Sequence, residues 1–249
     1  MIWDWEPSVL VGCAMLAGAY IAAARPRTPA KTLCFLGGVA LLLLDLVSPI
    51  DALADTYLLS AHIVQHFLLA LIIPPLWLLG IPREFAERSL NQRWIGRIEQ
   101  ALSSPAIAWP LGVGTMLVWH VPALFNAALA SNGLHIFQHL SFLITGTIFW
   151  WPVLAPMDSR RLAPLPAIFY LFSACTACSL LGAVLTFTPP GWYPAYLNHA
   201  GDSIRAGWGL DARTDQQLGG MLMWVPGCLV YLTAILARVA RWYAAPERA

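Results

Sequence analysis

The sequence predicts an all-α fold: an integral membrane bundle of seven transmembrane helices, one membrane domain over residues 1–249, N-terminus outside and C-terminus cytoplasmic. Three observations predict it. Of the 249 residues, 59% are hydrophobic and 11% charged, where a soluble domain carries roughly 25% charge. Seven apolar runs of about 17–25 residues, each able to cross a bilayer, are separated by charged or proline-rich breaks. Lysine and arginine crowd alternate breaks and are sparse in the others. The net charge of +1 argues against nucleic acid as a partner.

The N-terminal residues MIWDWEP are acidic and hold Trp3 and Trp5, suited to an interfacial belt. A signal peptide has a basic leader, so no cleavage is expected. Span one runs from about Ser8 to Ala24, and Arg25, Arg27 and Lys31 follow, with Pro26 and Pro29 breaking the helix. Span two, from about Thr32 to Val47, leads into a short acidic loop with Asp45, Asp51 and Asp55. Span three, Ala54 to Pro82, carries His62 and His66, and Pro74 and Pro75 should kink its lower half. Residues 83–103 place Phe85, Leu90, Trp94, Ile95, Ile98 and Leu102 near helical spacing with arginines between, which reads as an interfacial amphipathic helix on the lipid surface. Span four, about Ala106 to Ala130, holds His120 and Pro122; span five, Gly133 to Leu154, holds His135 and His139. Span six runs from about Pro166 to Phe187 and span seven from about Leu218 to Ala240, with the longest connection between them.

The breaks after spans one, three and five, with the C-terminus (Arg238, Arg241, Arg248), hold 12 of the 14 lysines and arginines. The positive-inside rule makes that face cytoplasmic. His62, His66, His135 and His139 then lie in the outer halves of spans that enter from outside, and His120 lies near the outer end of a span that leaves. The sixth histidine, His199, falls in the outer loop and reads as an ordinary loop residue.

Each histidine pair is spaced i, i+4, so both rings project from one helix face. Ionisable groups are costly in hydrocarbon, and two such pairs at one depth point to a metal, copper first. His120 has two readings: a further ligand, or a donor to a carbonyl freed by Pro122. Met221 and Met223 begin span seven on the outer side; they read first as core and second as thioether ligands that select Cu(I). Asp45, Asp51 and Asp55 suit a metal entrance or an outer shell around the ligands, while Asp55 also suits the start of a helix dipole. The five cysteines, Cys13, Cys34, Cys175, Cys178 and Cys228, all sit in apolar runs, unlike a disulfide framework. The C-x-x-C of Cys175 and Cys178 reads first as packing and second as a soft-metal or redox pair.

The segments DLVSPIDALADTYLLSAHIVQHFLL, PPLWLLGIP, WHVPALFNAAL, LHIFQHLSFLITGTIFWWPV and DQQLGGMLMWVPG occur in order and resemble the CtaG family of multi-span cytochrome c oxidase assembly factors. The resemblance runs from span two to span seven. It singles out His62, His66, His120, His135 and His139 with Asp51 and Asp55. It implies a non-enzymatic role in the bacterial inner membrane, supplying copper to the catalytic subunit of a haem–copper oxidase, with a periplasmic copper donor as the source. Two rival readings stay open. Four histidines on two helices also suit bis-imidazole haem ligation. A cation transporter is the other; against it, no inverted repeat is visible. A membrane di-iron hydroxylase is a weaker fit, since such enzymes carry more histidines on the cytoplasmic side.

Overall fold

The computed structural model describes residues 3 and 5–244, apart from the side chains of residues 199 and 200, so Arg248 and the His199 side chain lie outside the described residues. The chain forms α1 (Pro7–Ala23), α2 (Pro29–Val47), α3 (Pro49–Thr56), α4 (Leu59–Gly80), α5 (Arg83–Leu90), α6 (Arg93–Leu102), α7 (Pro105–Trp119), α8 (Pro122–Leu129), α9 (Asn132–Leu154), α10 (Pro164–Phe187), α11 (His199–Gly207) and α12 (Ala212–Ala244). Among the described residues there is no strand. Proline decides where many of these helices begin: it stands at the first turn of α1, α2, α3, α7, α8 and α10. Its fixed φ suits that position, and its missing N–H is one that the first turn leaves unpaired anyway.

Helices α2, α4, α10 and α12 are long and apolar enough to cross a membrane; α6 and α7, bent by 68° at their junction, make a fifth if they form one span. Helix α1 is apolar but only 17 residues long. Helix α9 has 23 residues, but histidine, glutamine and tryptophan dilute its apolar character. The chain is therefore a helical membrane protein with four or five candidate spans.

Several sequence boundaries move, each for a local reason. The acidic loop is not a loop. Helix α2 continues through Asp45 to Val47, and Ser48 then caps α3 by accepting from Ile50 N–H, so Asp51 and Asp55 are helical. The third apolar run does not start at Ala54; the chain breaks at Tyr57 and Leu58, and α4 starts at Leu59. The surface helix at 83–103 is two helices, α5 and α6, with a turn between them. The fourth run is broken at His120 and Val121, ahead of Pro122.

The irregularity of α4 lies just before its prolines, as a π-helical turn at Leu68–Ile72. Pro74 and Pro75 have no N–H, so the Ala70 carbonyl loses both its i+4 and its i+5 donor. The Trp150 indole of α9 supplies the hydrogen instead, donating to Ala70 O at 3.3 Å. Gly146, one turn earlier on α9, makes that approach feasible: a Cβ there would stand 2.8 Å from Ala70 O and 3.1 Å from Pro74 Cγ.

Contacts sort the bundle into two ends. At one, Lys31 Nζ donates to Ile81 O, Arg88 to Arg25 O, and Arg160 pairs with Glu99 at 3.1 Å, which also accepts from the Trp151 indole. Arg238 donates to Leu162 O at the same end of α12. The opposite end gathers the histidines. Among the described residues helices α10 and α12 share the most extensive contact, closely spaced through Gly182 and Gly220: a Cβ on Gly220 would lie 2.6 Å from Thr186 N and 2.7 Å from Gly182 O.

Those obstacles are backbone, so the helices themselves would have to part. Gly220→Ala is expected to lower stability by about 1–3 kcal/mol, measured by unfolding in mixed detergent. Gly114→Ala, where nothing lies within 4 Å of the new Cβ, is the matched control. It should be neutral or stabilising by about 0.5–1 kcal/mol.

Candidate metal centre

A helix break normally strands carbonyls at one end and N–H groups at the other. At the α3–α4 break the Leu53 carbonyl is met locally, by Tyr57 and Leu58 N–H, but most of the remaining partners come from far along the chain. Tyr196 Oη donates to Ala54 O at 2.7 Å, Asn198 Nδ2 to Thr56 O at 3.1 Å, and Arg205 Nη1 to Tyr57 O at 2.9 Å. The Asp215 carboxylate, from α12, accepts from Leu59 N–H at 2.9 Å and Ser60 N–H at 3.2 Å. Asp215 therefore caps α4 from another helix, with its charge at the positive end of the dipole.

That anchor fixes the height of His62, one turn into α4. His62 Nδ1 lies 3.3 Å from Ala54 O, and its Nε2 lies 2.9 Å from His66 Nε2. From α9, the His135 ring stands 5.3 Å and the His139 ring 6.1 Å from His62, centre to centre; His139 is 5.8 Å from His66. The His120 ring is 5.3 Å from His66. All five rings are buried, His62 and His66 completely. The two helix faces meet, and the break before Pro122 adds a fifth imidazole from α7.

His120 donates to a carbonyl of its own helix, though not to the one that Pro122 frees, four residues before it. Its Nδ1 lies 2.7 Å from Met116 O, a carbonyl left open where α7 ends. A carbonyl only accepts, so Nδ1 carries the hydrogen and Nε2 presents a lone pair. The same logic at Ala54 O leaves His62 Nε2 as the accepting nitrogen. His120 Nε2, His139 Nε2, His135 Nε2 and His66 Nδ1 are buried with no hydrogen-bond partner.

Among the described residues, two sets of three groups bring their potential ligand atoms within 4.8 Å of one another: His62, His66 and His139, and Asp55, His62 and His135. His62 belongs to both. His135 Nε2 and Asp55 Oδ1 are 3.6 Å apart, too far for a good hydrogen bond. Phe125, fully buried on α8, stands 4.8 Å from the His62 ring at a tilt of 48°, and Phe142 stands 4.4 Å from His66. Tyr193 closes the layer, donating to His120 O at 2.8 Å.

The remaining expected residues divide. Asp55 faces the cluster from the last turn of α3, the unfavourable end of that helix dipole for a carboxylate, so it caps nothing there. Asp51 accepts from Gln65 Nε2 at 2.8 Å, and the same amide nitrogen reaches the Asp45 carbonyl at 3.1 Å. The Asp45 carboxylate is buried inside α2 with neither oxygen hydrogen-bonded. The structure does not bring Met221 and Met223 to the imidazoles. Met221 is exposed, and Met223 lines an apolar cavity with Ile63, Phe67 and Met116. Cys175 meets Cys228 of α12, with 3.2 Å between sulfurs, and Cys178 meets the Tyr231 hydroxyl at 3.6 Å.

Sequence reasoning missed Gln65 and Gln138, both fully buried, with Gln65 Oε1 and both Gln138 amide atoms unpartnered. A signal was present. The two stretches read His-Ile-Val-Gln-His and His-Ile-Phe-Gln-His, with glutamine at the same register. Asp215, Tyr193 and Tyr196 had no such signal, because their partners lie 73 or more residues away.

Residues 14–245 match a family model described as cytochrome c oxidase caa3 assembly factor (Caa3_CtaG). The chain is similar to uncharacterized protein ML1998 of Mycobacterium leprae, 27% identical over 200 residues that cover 74% of this chain and 30% of that protein. It is also similar to uncharacterized protein Mb0105 of Mycobacterium bovis, 26% identical over 264 residues covering 96% of this chain and 39% of that protein. The chain thus spans well under half the length of these curated relatives. No solved structure matches it.

Burial pushes the Asp55 carboxyl up from its ordinary 3.8 to about 6. A raised carboxyl means that the folded chain holds this proton more tightly than the unfolded chain, so stability falls as pH rises from about 4 to 6. Asp55→Asn removes the charge and keeps the shape. It is expected to raise the thermal midpoint at pH 7.5 and leave it nearly unchanged at pH 4; equal shifts at both pH values would show that the carboxylate is not held at a cost.

Proposed function

Since the chain belongs to the family of cytochrome c oxidase caa3 assembly factors, we propose that it holds copper in its imidazole cluster and supplies it to the catalytic subunit of a haem–copper oxidase, without catalysing a reaction. One observation carries this reading. His62 and His120 are each tied through Nδ1 to a backbone carbonyl; His62 Nε2 then faces His66 Nε2 at 2.9 Å, while His120 Nε2, His135 Nε2, His139 Nε2 and His66 Nδ1 are buried without a hydrogen-bond partner. Metal-ligating histidines have this outer support, because it fixes tautomer and ring orientation. Imidazole is a good ligand for copper, and buried nitrogens without donors are satisfied by a cation.

Copper enters as cargo from the periplasmic side, from a donor protein there. Asp55 and His135, nearest the surface, take it first; His62 then shares it with His66 and His139. Haem fits less well, because Phe125 and Phe142 pack directly on the rings where a macrocycle would need space. The membrane reading is the bacterial inner membrane, with seven spans, the histidine end outside and the arginine end cytoplasmic. It is supported by the arginine-rich contacts at one end of the bundle, where Tyr20 of α1 also meets Gly80 at the end of α4, and by α9 running between the same two ends as α4.

Purified protein is expected to carry copper, and His62→Ala/His66→Ala to lose it while keeping its helical circular-dichroism spectrum. Copper retained in that variant would remove the site. In cells, the same variant should lower oxidase activity, and added copper should restore it in part. For topology, reporter fusions should place the loops between α1 and α2 and between α9 and α10 in the cytoplasm, and residues 188–211 outside.

A further inference from the structure

Beneath the imidazoles lies a small, partly enclosed cavity with an unusual wall. It is lined by Ile63, Phe67, Leu71, Met116, Cys178 and Met223. Six methionines and five cysteines are spread over 249 residues, so three sulfurs among six lining side chains is a concentration. They come from three helices, α7, α10 and α12, and all three residues are buried. The space has about the size of one water molecule, yet no carboxylate, amide or hydroxyl lines it to hold one. The wall touches the imidazole layer at two points. Met116 carries the carbonyl that orients His120. Ile63 and Phe67 directly follow His62 and His66 on α4.

We propose that this chamber is a second, sulfur-lined site for a cuprous ion, held by the thioethers of Met116 and Met223 and the thiol sulfur of Cys178. Thioether and thiolate are the soft ligands that choose Cu(I), and a water-free wall keeps it from oxidising solvent. Cys178 binds as the thiolate: the Cu–S bond forms, the S–H bond breaks, and one proton leaves for solvent. The product is an uncharged pair, the form that an apolar wall tolerates. The inference names copper from the reading above, but it rests on different residues.

The test loads purified protein anaerobically with Cu(I) alone and reads elemental copper and the copper X-ray absorption edge. The expectation is two ions per chain, one in a nitrogen environment and one with sulfur scatterers. Met116→Leu/Met223→Leu/Cys178→Ala, which nearly preserves volume, should lose the sulfur scattering and one ion. His62→Ala/His66→Ala should lose the nitrogen-bound ion. Selenomethionine-labelled protein gives the answer without any substitution: copper–selenium scattering at the selenium edge supports the site. Copper bound only by nitrogen and oxygen in the unsubstituted protein overturns the chamber and leaves the imidazole site standing. Sulfur-bound copper alone overturns the imidazole site and leaves the chamber. Sulfur scattering that survives the triple variant overturns the assignment to these residues.

Discussion

Everything at the histidine end hangs from one break in the backbone, between α3 and α4. A break inside an apolar bundle would leave several peptide groups without partners, at a few kcal/mol for each one left dry. Here Tyr196, Asn198 and Arg205 take the carbonyls of Ala54, Thr56 and Tyr57, while Asp215 takes the N–H groups of Leu59 and Ser60. Charged partners such as Asp215 contribute about 1.5–3 kcal/mol per hydrogen bond, more than neutral ones. The result is geometric as well as energetic. The segment after α10 is pinned over the site, α12 is pinned to the start of α4, and His62 stands at a fixed height one turn below. Arg205 is almost fully buried in spite of its charge because these contacts need it there.

Proline plays the complementary part. Before Pro122 it ends α7 at the point where His120 can turn its ring into the cluster and bond its own helix's open carbonyl. At Pro74 and Pro75 it strips Ala70 of its helical donors, and the repair by Trp150 ties α4 to α9 one layer deeper. The two helices that carry the paired histidines are thus locked together twice, at the imidazoles and below them. Gly146 is small because the second lock needs the backbones close.

This explains what was legible in the sequence. The i, i+4 histidine pairs, their shared depth, and the concentration of positive charge at one end follow from local spacing and chain order, and the structure brings the pairs together on those terms. Helix ends followed from proline only in part. The acidic stretch read as a loop because three aspartates in eleven residues look like solvent-exposed chain, but Ser48 and Pro49 start a helix there. Long-range partners were invisible for a different reason. Nothing local distinguishes Asp215 from any acid at the start of a helix; only the three-dimensional arrangement makes it the cap of α4. The core reading of Met223 agrees with its burial, but depth alone, without helix rotation, cannot tell which face Met223 presents or that Met221 is exposed. Met223 faces Ile63 and Phe67, one position round the helix from the histidines.

In the proposed reading, the surplus of donors has a physical purpose. A tight structural site uses every ligand and closes, whereas a site that must release its ion keeps exchangeable positions. Four imidazoles and one carboxylate, arranged as two overlapping sets that share His62, let one ligand leave as the next arrives, so the ion is never stripped bare in an apolar interior. Holding Nδ1 of His62 and His120 on backbone carbonyls removes the ring reorientation that each exchange would otherwise require. The donors also soften with depth, from carboxylate and imidazole at Asp55 and His135 to imidazole alone at His62, His66 and His139. If the chamber of Met116, Cys178 and Met223 takes the ion further, that order would favour Cu(I) over Cu(II) at each step inward. The direction of travel would then be set by ligand chemistry, with no moving part of the bundle required.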